Sequence, residues 1–212
     1  MDYKKQDFFD AFGTSANNEN FEKFNVFSEK DINFANNVIL GFEKALTTGN
    51  KKIIILFDID ETIGAINIKG ETEFRPVLKD LLHYLADEAK NKDISLSYGL
   101  LSTRSPEEIT TIKKQLENNA INFSEDFLIS SNKEKILNER TELSIMRALK
   151  DGCSIEDLTT GEINKIIEII NIADNYPDST IISVDDWPFE QYLKSNFYPV
   201  IGVYVDSHSD LR

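Results

Sequence analysis

The pattern of apolar and polar positions divides the chain into alternating extended and helical stretches. Residues 53–57 (Ile53, Ile54, Ile55, Leu56, Phe57) form an unbroken apolar run rich in β-branched side chains. Such a run predicts a strand covered on both faces, as in a parallel sheet. Further strands are expected at 94–101, 127–129, 180–184 and 200–205. Between them, apolar residues recur at helical spacing. Ser28, with Asp31 three residues on, predicts a capping box opening a helix whose buried face is Ile32, Val38, Ile39, Phe42 and Ala45. Thr48-Gly49-Asn50 ends that helix. Leu78, Leu81, Leu82 and Leu85 line one face of the next, which opens at Arg75-Pro76. Ser105-Pro106-Glu107-Glu108 is another capping box with proline at the first helical position. Helices are also expected at 135–149, at 161–176 (Ile166, Ile169, Ile170, Ala173) and at 188–195. Residues 66–68 and 71–74 read as a hairpin turning at Lys69-Gly70, and Gly64 suits a tight turn. Strands alternating with helices predict an α/β fold.

Domain organisation follows from the same pattern. Residues 1–27 are polar and asparagine-rich with scattered phenylalanines, and read as an N-terminal extension. Residues 28–212 read as one domain, because 212 residues are enough for a single sizeable core.

Charge and composition then exclude several functions. The net charge of −14 argues against a nucleic-acid partner and against charge-driven contact with anionic membranes. No early apolar segment follows a basic start, and no run approaches the length of a membrane span. Cys153 is the only cysteine, so no internal disulfide forms and a reducing, cytoplasmic setting fits. Thr159 stands six residues after it, so the cysteine-dependent phosphatase loop is absent. The two histidines, His83 and His208, are read as structural or solvated. That scarcity argues against Ser-His-Asp and Cys-His catalysis and against a zinc site of His and Cys.

The chemistry is concentrated at strand ends. Asp58-Ile59-Asp60-Glu61-Thr62 follows the first apolar run, at the sheet edge where open α/β folds bind ligands. Period-two alternation would aim Asp58 and Asp60 the same way, and like charges that close require a cation or proton between them. Asp185-Asp186-Trp187 follows the strand at 180–184 in the same manner. Ser102-Thr103-Arg104 ends the strand at 94–101.

These residues resemble the motifs of the haloacid dehalogenase-like (HAD) superfamily, whose first motif is DxDx(T/V) after a hydrophobic strand; Asp58, Asp60 and Thr62 occupy its fixed positions. The resemblance implies a three-layer, doubly wound, mostly parallel sheet with a β flap and no large cap domain, since the 40 or so residues after Asp58 are consumed by hairpin and helix. It implies a hydrolase in which Asp58 is the nucleophile, Asp60 the general acid and base, and Thr62 holds Asp60 and the turn. Ser102 would bind phosphoryl oxygens, with Thr103 in reserve and Arg104 beside it. Lys165 would neutralise phosphate and nucleophile, with Lys133 and Lys135 as rivals; Thr160 stands before Gly161 where many relatives have lysine. Mg2+ would be held by Asp58, the Asp60 backbone carbonyl and Asp186, with Asp185 as a further ligand or a neighbour of the ligands.

The Phe74-Arg75-Pro76 step is similar to a region of the HAD phosphatases that act on polymerase tails and of the magnesium-dependent phosphatase group, with Val77 in place of their glycine. An uncovered site implies a phosphorylated protein or peptide substrate, phosphotyrosine in particular. The asparagine-rich composition is also similar to HAD phosphatase modules in effectors of intracellular bacteria such as Legionella, which would place the chain in a host cytosol. Such domains usually continue further, which leaves open that the chain is a fragment. Two alternatives stand beside this reading. One is a small-molecule phosphatase with residues 105–160 as a partial lid. The other is a non-enzymatic phospho-receiver, although receivers present their acidic pair and lone acceptor in the opposite order.

Overall fold

The computed structural model describes residues 27–66, 71–132, 139–187 and 200–207. The expected N-terminal extension (apart from Phe27), the hairpin turn at Lys69-Gly70, the rival lysines Lys133 and Lys135, the helix at 188–195 and His208 lie outside the described residues.

Five parallel strands form the central sheet: β1 (Lys52–Phe57), β4 (Ser95–Ser102), β5 (Leu128–Ser130), β6 (Ser179–Asp185) and β7 (Val200–Tyr204). Their order is β5-β4-β1-β6-β7. The sheet therefore grows outward in one direction from β1, then reverses across β1 to continue with β6. In open α/β sheets such a reversal marks the place where ligands bind, here the carboxyl ends of β1 and β6. The register pairs Phe57 with Leu100 of β4 and with Val184 of β6.

Helices cover both faces, giving an α/β fold of three layers. α1 (Glu29–Leu46), α2 (Leu78–Asn91) and α3 (Pro106–Asn118) pack on the face bearing Ile53, Ile55 and Phe57. α4 (Glu139–Ala148) and α5 (Thr160–Asn175) pack on the face bearing Ile54 and Leu56. Alternate residues of β1 thus enter two separate cores, which is why the run shows no polar position. Burying each such side chain contributes about 1.5–3 kcal/mol. That surplus lets a charged cluster be held at the strand's end.

Local signals explain the helix starts. Ser28 and Asp31 make the expected reciprocal capping box, and Ser105 and Glu108 make the second. A third, Thr159 with Glu162, opens α5. α1 lies so close to β7 that a β-carbon on Gly41 would stand 2.4 Å from Val203, so only glycine fits there.

One strand start is corrected, and the hairpin is described in part. The described part of the hairpin pairs β2 (Gly64–Ile66) with β3 (Thr72–Phe74), and residues 67 and 68 of the expected first arm lie outside the described residues. Gly64 closes the preceding tight turn, its N–H donating to Ile59 O at 3.0 Å, and also begins the first arm. It lies within the hairpin, where an added β-carbon would come within 2.9 Å of Thr72. Phe127 closes a short 3-10 turn, and the strand begins one residue later. Among the described residues no helix is long and apolar enough to cross a membrane.

Candidate functional site

β1 ends at Phe57, and the backbone of Asp58 makes one more ladder bond, its N–H donating to Val184 O at 2.9 Å. Asp58 therefore stands beside the end of β6, next to Asp185. Both are buried. An isolated carboxylate in such a place is strongly disfavoured, and two adjacent ones more so. The compensating charge comes from α5. Lys165 Nζ donates to Asp58 Oδ1 at 2.9 Å and to Asp185 Oδ2 at 2.7 Å.

A short relay of polar contacts brings Lys165 there. Ser131, just past β5, donates from its backbone N–H and its hydroxyl to Ser102 O, at 2.8 and 3.0 Å. Ser131 O in turn accepts from Asn164 Nδ2 at 3.0 Å. Asn164 precedes Lys165, so the second turn of α5 is tied to the ends of β4 and β5. Ser131 and Asn164 went unnoticed in the sequence, where each is one polar residue among many.

Asp186 completes the group. Its backbone N–H donates to Thr62 Oγ1 at 3.0 Å, and its carboxylate accepts from Ser207 Oγ at 3.1 Å. Asp185 Oδ1 accepts from Trp187 N at 2.9 Å, which fixes the other oxygen toward Lys165. Asp58, Asp185 and Asp186 each present a carboxylate oxygen, all within 4.8 Å of one another, an arrangement that could hold a metal ion.

Electrostatics express the same crowding. Burial raises the Asp58 carboxyl to about 7, against the opposing pull of Lys165. Burial also raises Asp185, again opposed by Lys165. Burial works to lower Lys165, but the two carboxylates outweigh it and hold the ammonium above its ordinary range. Fully ionised, the three carboxylates exceed the one ammonium by two negative charges, the complement of a divalent cation.

Comparison with protein-family models, with curated proteins and with solved structures finds no match. The site is therefore read from its own geometry.

That geometry separates the two acids of the first motif. Period-two alternation does not continue past Phe57, because residues 59–64 fold into a tight turn. Gly64 N donates to Ile59 O at 3.0 Å and Glu61 N to Gly64 O at 2.8 Å, with Glu61 at φ 59°. Asp58 consequently points into the carboxylate group, while the Asp60 carboxylate lies outside it and pairs with Arg104. Asp60 is thus not one of the three clustered carboxylates, although it still acts electrostatically on Asp58. Thr62 is buried, and its hydroxyl holds the Asp186 backbone instead of Asp60.

The Ser102 side chain is buried, with its Oγ accepting from Arg104 N at 3.3 Å. Thr103 is exposed and lies against the first turn of α5, where a β-carbon on Gly161 would sit 3.3 Å from its methyl group. His83 is exposed on α2.

Arg75 and Ser207 were not anticipated as site residues. Ser207 follows β7 at the sheet edge that carries the other groups, so strand-end position was the available signal. Arg75 is fully buried, which nothing in its sequence neighbourhood announces.

Proposed function

We propose that the chain is a magnesium-dependent phosphomonoester hydrolase of the haloacid dehalogenase-like kind, working through an aspartyl-phosphate on Asp58. One observation carries this reading: the Lys165 ammonium joins Asp58 and Asp185 in a group to which Asp186 adds a third carboxylate.

The donor set fits the metal. Hard carboxylate oxygens, few in number and with excess negative charge, suit Mg2+, which keeps waters and substrate oxygens in its other positions. Asp58, Asp185 and Asp186 would hold the ion, with the Asp60 carbonyl. When bound, it supplies positive charge that lets an anionic nucleophile meet an anionic phosphate.

The side chains then divide the work. An Asp58 carboxylate oxygen attacks phosphorus, forming the acyl-phosphate bond as the ester P–O bond breaks. Asp60 in its protonated form gives its proton to the departing oxygen. Water next attacks the aspartyl-phosphate, Asp60 takes a proton from it, and release of phosphate restores Asp58. Asp60 is suited to this exchange because it is half-exposed and lies outside the carboxylate group. Lys165 stays charged throughout, countering the negative charge beside Asp58. Ser102, Thr103 and Arg104 would meet phosphoryl oxygens from the end of β4.

The substrate class follows from what flanks the site. Between β1 and β4 the described residues form a tight turn, the β2–β3 hairpin and α2, with no further domain. That supports an uncovered site and hence a phosphorylated protein or peptide, with phosphotyrosine the side chain long enough to reach in. The deciding experiment is Mg2+-dependent turnover of p-nitrophenyl phosphate, abolished in Asp58→Asn. A phosphopeptide panel run against a metabolite panel then fixes the substrate. Turnover that survives Asp58→Asn, or that persists in EDTA, overturns the proposal.

A further inference from the structure

We propose that Arg75 is a positioning residue that sets Asp186 for metal binding; this rests on the metal reading above. Its side chain is wholly buried. The guanidinium carbon lies 4.7 Å from the centre of the Phe34 ring. Nε donates to Thr62 O at 2.6 Å, and Nη2 donates to Asp206 O and reaches Glu61 O at 3.5 Å. Among the described residues, the Asp31 carboxylate pairs with the guanidinium, 3.4 Å from Nη1.

The partners matter more than their number. A guanidinium taken out of water is costly, and an apolar side chain of similar volume would fill the same space without that penalty. Most of the partners of Arg75 are main-chain carbonyls, drawn from two loops far apart in sequence. Fork geometry lets one planar group fix several carbonyls at once, which lysine cannot do.

Both loops end on Asp186. Thr62, whose carbonyl Arg75 grips, receives the Asp186 backbone N–H on its hydroxyl. Asp206, whose carbonyl Arg75 also grips, precedes Ser207, which donates to the Asp186 carboxylate. Residue 206 lies past the last ladder bond of β7, Val205 N to Asp185 O at 3.1 Å, so the sheet itself does not fix this loop. Asp186 is thus held from its backbone and from its carboxylate by segments that share one buried cation.

The test is calorimetric titration of the full chain with Mg2+ and, separately, Mn2+. Arg75→Lys keeps the charge and removes the fork. Loss of support of this kind weakens metal affinity by about 10-fold or more, while turnover at saturating metal falls by a smaller factor. Ser207→Ala weakens affinity in wild type and has a smaller effect in the Arg75→Lys background, because the loop it acts through is already loose. Leu116→Ala, a buried change on α3 that removes no hydrogen bond to either loop, lowers Tm and leaves affinity unchanged. If Arg75→Lys binds Mg2+ as wild type does, or Leu116→Ala weakens binding equally, Arg75 is only a core residue and the inference fails. Should Arg75→Lys not fold, Ser207→Ala alone decides, and wild-type affinity in that variant overturns the proposal. If wild type binds neither ion, the metal reading itself falls and this inference with it.

Discussion

The guanidinium of Arg104 forks onto the carboxylate of Asp60, its Nε lying 3.1 and 2.9 Å from the two oxygens while Nη2 closes on one of them. Asp60 is thereby held at the end of β4, and Asp58, two residues earlier, is held by α5. One short motif is split between two partners. Under the proposed function, the buried acid would form the bond to phosphorus and the half-exposed acid would carry the proton.

That division predicts a leaving-group signature for Asp60→Asn. An alkyl phosphate needs a proton on its departing oxygen, whereas p-nitrophenolate leaves without one. Turnover of the alkyl ester should fall by about 100-fold to 10,000-fold, the range of general acid catalysis, and that of p-nitrophenyl phosphate much less. Steady-state rates on the two esters check it, and an equal loss on both would remove Asp60 from the role.

Lys165→Met should destabilise the metal-free protein by about 3–5 kcal/mol, because it leaves two buried carboxylates without their cation. Urea denaturation in EDTA measures the loss. The same variant in Mg2+ should recover part of it, since the ion takes over the neutralising charge. A surface-like loss under 1 kcal/mol, roughly what an exposed pair contributes, would mean the pair is not buried in solution.

The raised Asp58 carboxyl gives stability a definite dependence on pH. Its folded value of about 7 lies above the ordinary 3.8, so the folded state holds a proton that the unfolded chain releases earlier. The associated stabilisation is complete below the unfolded value and is lost as pH rises through about 7. In EDTA, the Tm of wild type relative to Asp58→Asn should therefore fall between pH 5.5 and 8. Mg2+ should reverse the trend, because it competes with the proton for the ionised carboxylates. A difference that stays flat across this window would contradict the burial of Asp58.

Thr62→Val should cost about 1–3 kcal/mol by leaving the Asp186 N–H without its acceptor, and Thr62→Ser should restore most of it. Hydrogen exchange at Asp186 offers an independent check. Equal stability of the valine and serine variants would show that the hydroxyl contributes nothing.

The fold class was written in the chain because local rules suffice for it. An apolar run without polar positions means a strand covered twice, and Ser28 with Asp31 or Ser105 with Glu108 opens a helix through contacts three residues apart. The acids at strand ends were legible for the same reason: Asp58 and Asp185 each follow a run whose burial fixes where the strand stops. Which groups meet was not legible. Asp60 left the carboxylate group because the turn at 59–64 broke the alternation, and it found Arg104 44 residues away. Lys165 reached Asp58 across 107 residues, drawn in by Asn164 and Ser131, and Arg75 reached Asp206 across 131. Pairings over such distances depend on how sheet and helices stack, and a buried charge is satisfied by whichever partner that stacking delivers. Sequence determined where charge would be placed; tertiary packing decided what would neutralise it.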